Sequence, residues 1–391
     1  MTKLFGADGI RGEIDVSPLD AKSISRIAAA VGFYIRKKSM EPVCLIGSDT
    51  RESSQRLKNI FVDRLNKSGV GTVDADILPT SAISFLIAKK GLFSAGLVFS
   101  ASHNPVNENG IKVFNEMGQK ITDADEEKIE RYFDDFSQLP ITSNYASNVQ
   151  DLDYARQYAR QLVREFKDYK WHNLKVMIDC ANGASHMIAP NVLENLGCDF
   201  SLTHAWPDGT NINQGGGSEY ARNDPDKIED LLSRYNRKVS ISLDGDADRV
   251  VLVDKYRNYY DGDSLLAILG LRYKTQGLLK KNKVVATIMS NPALGEYLAR
   301  NKISLQVVSN GDKHVTSAIL DDDLVLGGEQ IGHLVIHNQP EWVTGDGLRT
   351  ALTVLSELAE NPDMNMMDML PGMEKYPQVV ISVNLDSRRC V

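Results

Sequence analysis

Cross-links, membrane spans and basic stripes are all scarce in this chain. Its four cysteines, Cys44, Cys180, Cys198 and Cys390, are scattered without C-x-x-C or metal-ligand spacing. Reduced structural thiols are therefore expected, rather than disulfides or a zinc site. No window approaches the ~20 apolar residues that a membrane span needs, and Met1 to Gly6 shows no charged leader ahead of an apolar core. The expectation is a cytoplasmic protein with no membrane partner. No extended run of Lys and Arg is visible, and the net charge is −8, which argues against a nucleic-acid partner. An anionic substrate would need positive charge concentrated in a cleft.

What is present is an ordinary globular composition, 42% hydrophobic and 25% charged, over 391 residues, enough for roughly two to four domains. Strand-like and helix-like segments alternate in a pattern that recurs about three times. Ser17 and Pro18 read as N-cap and first residue of a helix through about Lys38, followed by a strand from Val43 to Gly47. An amphipathic helix with Leu57, Ile60, Phe61 and Leu65 on one face closes at Gly69. The second unit has a helix over 153–166 and strands at 174–179, 239–243 and 250–253; the third has strands near 284–288 and 324–326 and a helix over 347–358. This alternation predicts an α/β protein with mixed, largely parallel sheets, divided at 1–147, 148–254 and 255–365. A linker is expected near 139–147. Past Pro362 a Met-rich helix and a strand over 379–383 read as the start of a fourth unit, 366–391.

Three loops carry chemistry. Ser100-Ala101-Ser102-His103-Asn104-Pro105 places a hydroxyl and an imidazole directly after the apolar run Ala95 to Phe99, where open α/β sheets bind ligands. A plain polar turn ended by Asn-Pro is the alternative. Asp244-Gly245-Asp246-Ala247-Asp248-Arg249 lies between two apolar strands, with three carboxylates at alternate positions suited to one hard cation. It is not an EF-hand loop, because Arg249 and Lys255 stand where that loop needs glycine and glutamate. A magnesium ion there suits phosphoryl transfer, with Arg249 beside it to hold a phosphoryl group. The third loop, Gly327-Gly328-Glu329-Gln330-Ile331-Gly332-His333, offers a carboxylate, an amide and an imidazole on flexible backbone.

Together with Phe5 to Gly12, Asp49-Thr50-Arg51, Gly110-Ile111-Lys112, Pro207 to Asn213, Met289-Ser290-Asn291, Gly311-Asp312-Lys313 and Thr344 to Gly347, these loops resemble, in order, the motifs of the α-D-phosphohexomutase family. Asn211-Ile212-Asn213 and Gln330 are similar to its phosphoglucosamine mutase branch. The resemblance implies three phosphohexomutase-type α/β domains and an isomerase moving a phosphoryl group between the 6 and 1 positions of a hexosamine phosphate, through phosphorylated Ser102 and a sugar bisphosphate. It implies Mg2+ held by Asp244, Asp246, Asp248 and a phosphoserine oxygen. Arg11, Lys112 and Arg249 would stabilise the transferring group, and His103, Lys112 or His333 would move the proton. Glu329, Gln330, His333 and Lys313 would bind substrate. A homodimer is implied through the amino-terminal domain.

Four departures accompany the resemblance. No Arg-x-Ser-Gly-Thr-Glu-Pro phosphate loop occurs in the sequence, Ile331 replaces serine, Ala7 replaces threonine, and Lys313 replaces arginine, losing a bidentate fork. Without that loop, turnover is expected to fall severely. The alternatives are an impaired member acting as a binding or regulatory protein, and a mutase for another hexose phosphate.

Overall fold

The computed structural model describes residues 3–136, 139, 147–151 and 153–379. Most of the expected linker, and the expected strand and fourth unit from residue 380 onward, lie outside the described residues.

Helices and strands alternate around three sheets. The first unit contains β1 (Ile10–Glu13), α1 (Ala21–Lys38), β2 (Val43–Ser48), α2 (Glu52–Lys67), β3 (Gly71–Ile77), α3 (Thr80–Lys90), β4 (Ala95–Phe99), β5 (Glu108–Phe114), α4 (Asp123–Asp134) and β6 (Asn148–Gln150). Its strands lie in the order β1-β5-β4-β2-β3-β6. Then come α5 (Asp153–Phe166), β7 (Lys175–Asp179), α6 (Ile188–Asn195), β8 (Asp199–Thr203), α7 (Ser218–Asn223), α8 (Pro225–Arg234), β9 (Val239–Leu243), β10 (Val250–Asp254) and β11 (Tyr259–Tyr260). They form a sheet ordered β11-β10-β9-β7-β8. The last unit holds α9 (Gly262–Thr275), β12 (Lys283–Thr287), α10 (Pro292–Arg300), β13 (Ser304–Val308), α11 (Asp312–Asp321), β14 (Leu326–Gly328), β15 (Leu334–Ile336) and α12 (Gly347–Glu360). Its sheet runs β13-β12-β14-β15.

Each sheet is parallel at its centre and turns antiparallel at one side. β4 pairs in parallel with β2 and antiparallel with β5; β9 does the same with β7 and β10; β14 does the same with β12 and β15. The three chemistry-bearing loops are the connections across those changes of direction. β4, β9 and β10 are buried at every residue, so they read as unbroken apolar runs, as expected of sheets covered on both faces.

Local departures have local causes. α1 starts at Ala21, three residues after Pro18, because the Asp20 carboxylate caps it by accepting the Lys22 and Ser23 N–H groups. After Pro362 the expected Met-rich helix is only a 3-10 turn over Met366–Met369. No helix among the described residues is long and apolar enough to cross a membrane. Cys44, Cys180 and Cys198 are free and buried, and burial raises the thiol pKa of each, Cys180 and Cys198 to about 12.

One apolar cluster runs through all three units, from Leu45 and Ile83 through Tyr158, Leu162 and Leu252 to Leu334, Trp342 and Leu355. At its centre α12 meets α5. Arg349, its side chain 2% exposed, reaches Glu165 at 2.7 Å, donates to the Ile336 carbonyl at 2.7 Å and stacks 4.3 Å over the Trp342 ring. Removing one partner of a buried pair strands the other charge. Arg349→Met is therefore expected to destabilise the chain by about 3 kcal/mol, read as a lower urea midpoint; an unchanged midpoint would refute this bridge between units.

Candidate active site

The serine turn is held from beneath by a buried arginine. Ser102 is fully buried and takes a left-handed conformation, φ +55°, a strain that persists only where the surroundings over-determine it. Its N–H donates to Ser100 Oγ at 2.9 Å, and Ser100 Oγ donates to Asp49 Oδ2 at 2.8 Å. Asp49 Oδ2 also accepts from Arg51 Nε at 2.8 Å. The Arg51 guanidinium then donates to four carbonyls of the loop: Pro105 at 2.5 Å, Glu108 at 3.1 Å, Ser102 at 3.2 Å and Asn104 at 2.7 Å. From the second unit, Asn213 Nδ2 donates to the Ser102 carbonyl at 2.9 Å.

The carboxylate turn closes over that serine. Ligand oxygens of Asp244, Asp246 and Asp248 lie within 4.8 Å of one another, and all three residues are buried. Ser102 Oγ donates to Asp244 Oδ2 at 2.5 Å. Gly245 permits the approach, since a Cβ there would stand 2.5 Å from the Ser102 carbonyl oxygen. Lys112 Nζ lies 2.7 Å from Asp246 Oδ2, 2.8 Å from Asp248 Oδ2 and 3.3 Å from Asp8 Oδ2. Burial works against the Lys112 charge, but Asp246, Asp248 and Asp8 outweigh it and hold the ammonium well above its ordinary pKa. Burial, with Asp248 and Asp246 beside it, pushes Asp244 well above the carboxylate range. Asp248 goes the other way, because Lys112, His333 and Arg249 overcome the burial that would raise it. Asp246 Oδ1 and Asp248 Oδ1 are buried without a hydrogen-bond partner. An all-oxygen donor set with two unpartnered oxygens fits a hard divalent cation.

Guanidiniums flank the same turn. Arg249 donates to His103 Nδ1 at 2.7 Å, and Arg11 to Asn104 Oδ1 at 3.2 Å; the Nε–H of each arginine is buried without an acceptor. Burial and these two cations push His103 down to about 4, so its ring is neutral at pH 7, with Nδ1 3.4 Å from Ser102 Oγ.

The third loop meets these groups around a cavity of about 90 Å³, lined by Asp8, Lys120, Arg249, Asp312, Glu329 and Ile331 among others. Glu329 Oε1 accepts the Gly311 N–H at 3.1 Å, and burial raises its carboxyl pKa. His333 is fixed by its neighbours: Nε2 accepts the Gly345 N–H at 3.0 Å, and Nδ1 faces Asp248 Oδ2 at 3.6 Å. The loop is seated on α9, where a Cβ at Gly262 would lie 1.9 Å from the Glu329 carbonyl oxygen.

Of the residues expected from sequence, Ser102, His103, Lys112, Arg11, Arg249, Asp244, Asp246, Asp248, Glu329 and His333 meet here. Two point elsewhere. Lys313 pairs with Asp123 and with Glu126 at 3.2 Å on α4, and Gln330 Nε2 donates to Gln378 at 2.8 Å. Five residues that sequence reasoning left unassigned join the site: Asp8, Asp49, Arg51, Lys120 and Asp312. Lys120 Nζ bridges the Asp8 and Asp312 carboxylates, tying the first unit to the third. Asp8, Asp49, Arg51 and Asp312 sit inside the recognised motifs; Lys120 lies in none of them.

Comparisons with known proteins agree with this geometry. The family described as phosphoglucomutase/phosphomannomutase matches through its alpha/beta/alpha domain I at residues 2–139, domain II at 153–258 and domain III at 261–376. The chain is 36% identical to the phosphoglucosamine mutase of Aliarcobacter butzleri over 99% of its own length and 86% of that protein's. Against the phosphoglucosamine mutase of Helicobacter pylori strain Shi470 the identity is 35%, with 99% and 86% covered. The fold is similar to that of a phosphoglucomutase/phosphomannomutase family protein of Burkholderia thailandensis, TM-score 0.82 at 24% identity, covering 97% of this chain and 80% of that one. It is also similar to N-acetylphosphoglucosamine mutase of Aspergillus fumigatus in complex with GlcNAc-6P and magnesium, TM-score 0.55 at 16% identity, covering 94% and 79%.

Two substitutions test how the loops are held. Arg51→Lys keeps the charge but loses the planar fork that reaches four carbonyls; misplacement of the turn is expected to lower turnover about 100-fold. Unchanged kinetics would show that the arginine does not position Ser102. Gly262→Ala is expected to displace the Glu329 carbonyl and raise the KM for substrate more than it lowers thermal stability, measured by steady-state assay and melting of the same sample.

Proposed function

The chain belongs to the phosphoglucomutase/phosphomannomutase family of α-D-phosphohexomutases, and from that premise we propose that it interconverts glucosamine 6-phosphate and glucosamine 1-phosphate. The observation that carries this reading is one buried constellation. Ser102 Oγ donates to Asp244 in a buried site that also holds Arg11 and Arg249, whose Nε–H groups make no hydrogen bond, and Asp246 and Asp248, each with one oxygen that accepts none, although Arg249 Nε and Asp248 Oδ1 lie 3.8 Å apart. Buried donors and acceptors left open cost free energy, and a phosphoryl group with a divalent cation would satisfy both kinds. The amino-sugar substrate rests on the relatives named phosphoglucosamine mutase, aligned over 99% of this chain.

In this reading Ser102 carries the phosphoryl group. The bond from Ser102 Oγ to phosphorus breaks as a sugar hydroxyl oxygen bonds to that phosphorus; the hydroxyl's proton is lost and Oγ gains one, so charge and protons balance. His103 Nδ1, 3.4 Å from Oγ, is the nearby base for that proton once Arg249, which donates to it at 2.7 Å, turns to the transferring oxygens. Lys112 stays protonated among its carboxylates, so it supplies fixed positive charge rather than a proton. Arg11 and Arg249, whose Nε–H groups make no hydrogen bond, would offer them to the transferring oxygens. Asp244, Asp246, Asp248 and a phosphoserine oxygen would hold Mg2+, which would further neutralise those oxygens. His333 orients Asp248, and Glu329 receives sugar hydroxyls. Lys313 ties the third unit to α4 of the first, and Gln330 donates to Gln378.

The 90 Å³ cavity is smaller than the 300–1,000 Å³ usual for small-molecule sites. A second cavity of about 580 Å³ shares Lys120 and Asp312 with it, so the two together offer the room that a hexosamine phosphate needs.

A coupled assay with glucosamine 6-phosphate, Mg2+ and a sugar bisphosphate tests the reading, with glucose 6-phosphate and mannose 6-phosphate run alongside. Ser102→Ala is expected to fall to background and to lose the phosphate that intact mass detects. Equal rates for the two proteins would refute the phosphoserine role, and preference for a neutral hexose would refute the amino-sugar assignment. Chelation by EDTA is expected to abolish turnover reversibly, with Asp246→Asn raising the Mg2+ needed for half-maximal rate at least tenfold.

A further inference from the structure

Far from the three loops, α5 carries positive charge that the protein leaves uncompensated. Arg156, Arg160 and Arg164 recur every fourth residue and Lys167 follows three later, all exposed. The opposite face, with Tyr154, Tyr158, Leu162 and Phe166, is buried. A linear scan shows no basic run here; the 3.6-residue winding of the helix assembles one. Along this face runs a groove of about 460 Å³, whose far wall is Asn191 and Asn195 of α6. Among the described residues no carboxylate lines it.

Among the described residues three of the four cations have no ion-pair partner, while Arg164 lies in the field of Glu341. Among the described residues Arg156, Arg160 and Lys167 make no ion pair, and Arg164 donates only to the Gln161 amide. The helix's own acids are engaged elsewhere, Glu165 by Arg349 on the core side and Asp153 by Gln157 at 2.8 Å. Like charges four residues apart destabilise a helix, and a cation near its N-terminal end, as Arg156 is, also opposes the helix dipole. In a chain of net charge −8 such a stripe is a local feature, not a consequence of overall composition.

We propose that the α5–α6 groove is a binding site for a small polyanion with at least two linked phosphoryl groups, separate from the catalytic centre. Consecutive arginines are separated by about 6 Å of helix rise, within reach of neighbouring phosphoryl groups, and each guanidinium offers the planar fork that matches phosphate oxygens. The asparagine wall supplies neutral donors and acceptors for the rest of the ligand. Its volume of about 460 Å³ is that of a small-molecule site.

The test is calorimetric titration of the full chain with inorganic tripolyphosphate and, separately, with ATP, each repeated on R156Q/R160Q and on Ser102→Ala. Binding that Ser102→Ala keeps and R156Q/R160Q weakens at least tenfold, while the double variant retains its melting temperature and mutase activity, is the expected result. Tighter binding of ATP than of tripolyphosphate would assign the ligand to the nucleotides, and equal binding to polyphosphates; either supports the site. Equal affinity in wild type and R156Q/R160Q, or binding of oligoglutamate in preference to both phosphates, would overturn it.

Discussion

Lys112 is the residue on which the site turns. A protonated amine with 1% side-chain exposure, it stands between Asp246 and Asp248 of the second unit and reaches Asp8 of the first. Burying such charges is costly, and only close, multiple pairing recovers the loss. That requirement favours one arrangement of the first and second sheets, because Lys112 finds its two closest carboxylates, Asp246 and Asp248, across the junction between them. Lys120 repeats the device between Asp8 and Asp312, and His333 extends it from Asp248 into the third unit. The ion network is thus both the joint between the units and the electrostatic interior of the reaction chamber.

The recurrence of one architecture explains why the chemistry gathers at a single place. In each sheet a central strand makes a parallel pair on one side and an antiparallel pair on the other, and the loop leaving its carboxyl end carries the functional residues. Ser102 follows β4, the aspartate turn follows β9, and Glu329 follows β14. Strand ends of this kind leave backbone groups free of the ladder and open to ligands. Three such ends packed around a continuous apolar cluster make one site out of loops that are far apart in the chain.

Much of this was legible from residues alone. β4 and β9 were readable to the residue as apolar runs, as was α5, because burial on both faces of a sheet, or on one stripe of a helix, leaves a periodic signature. The start of α1 was not, since Ser17-Pro18 reads as its beginning and only the Asp20 cap bonds place it at Ala21. Residues with chemistry in dense motifs, such as Ser102 and the three aspartates, announced themselves. Lys120 did not: its neighbours Asp8 and Asp312 are 112 and 192 positions away, and no local pattern marks a lysine that bridges them. Lys313 shows the reverse, a motif residue whose side chain the tertiary structure turns toward α4.

By itself, then, the sequence determined the alternation of elements, the three loops and the residue types able to carry phosphoryl chemistry, because each is a local matter of periodicity, turn residues and motif spacing. Which charges neutralise which, how far His103 is depressed and which arginine donors stay open were decided by tertiary structure. Electrostatic interaction depends on distance and burial, and neither is a property of position along the chain.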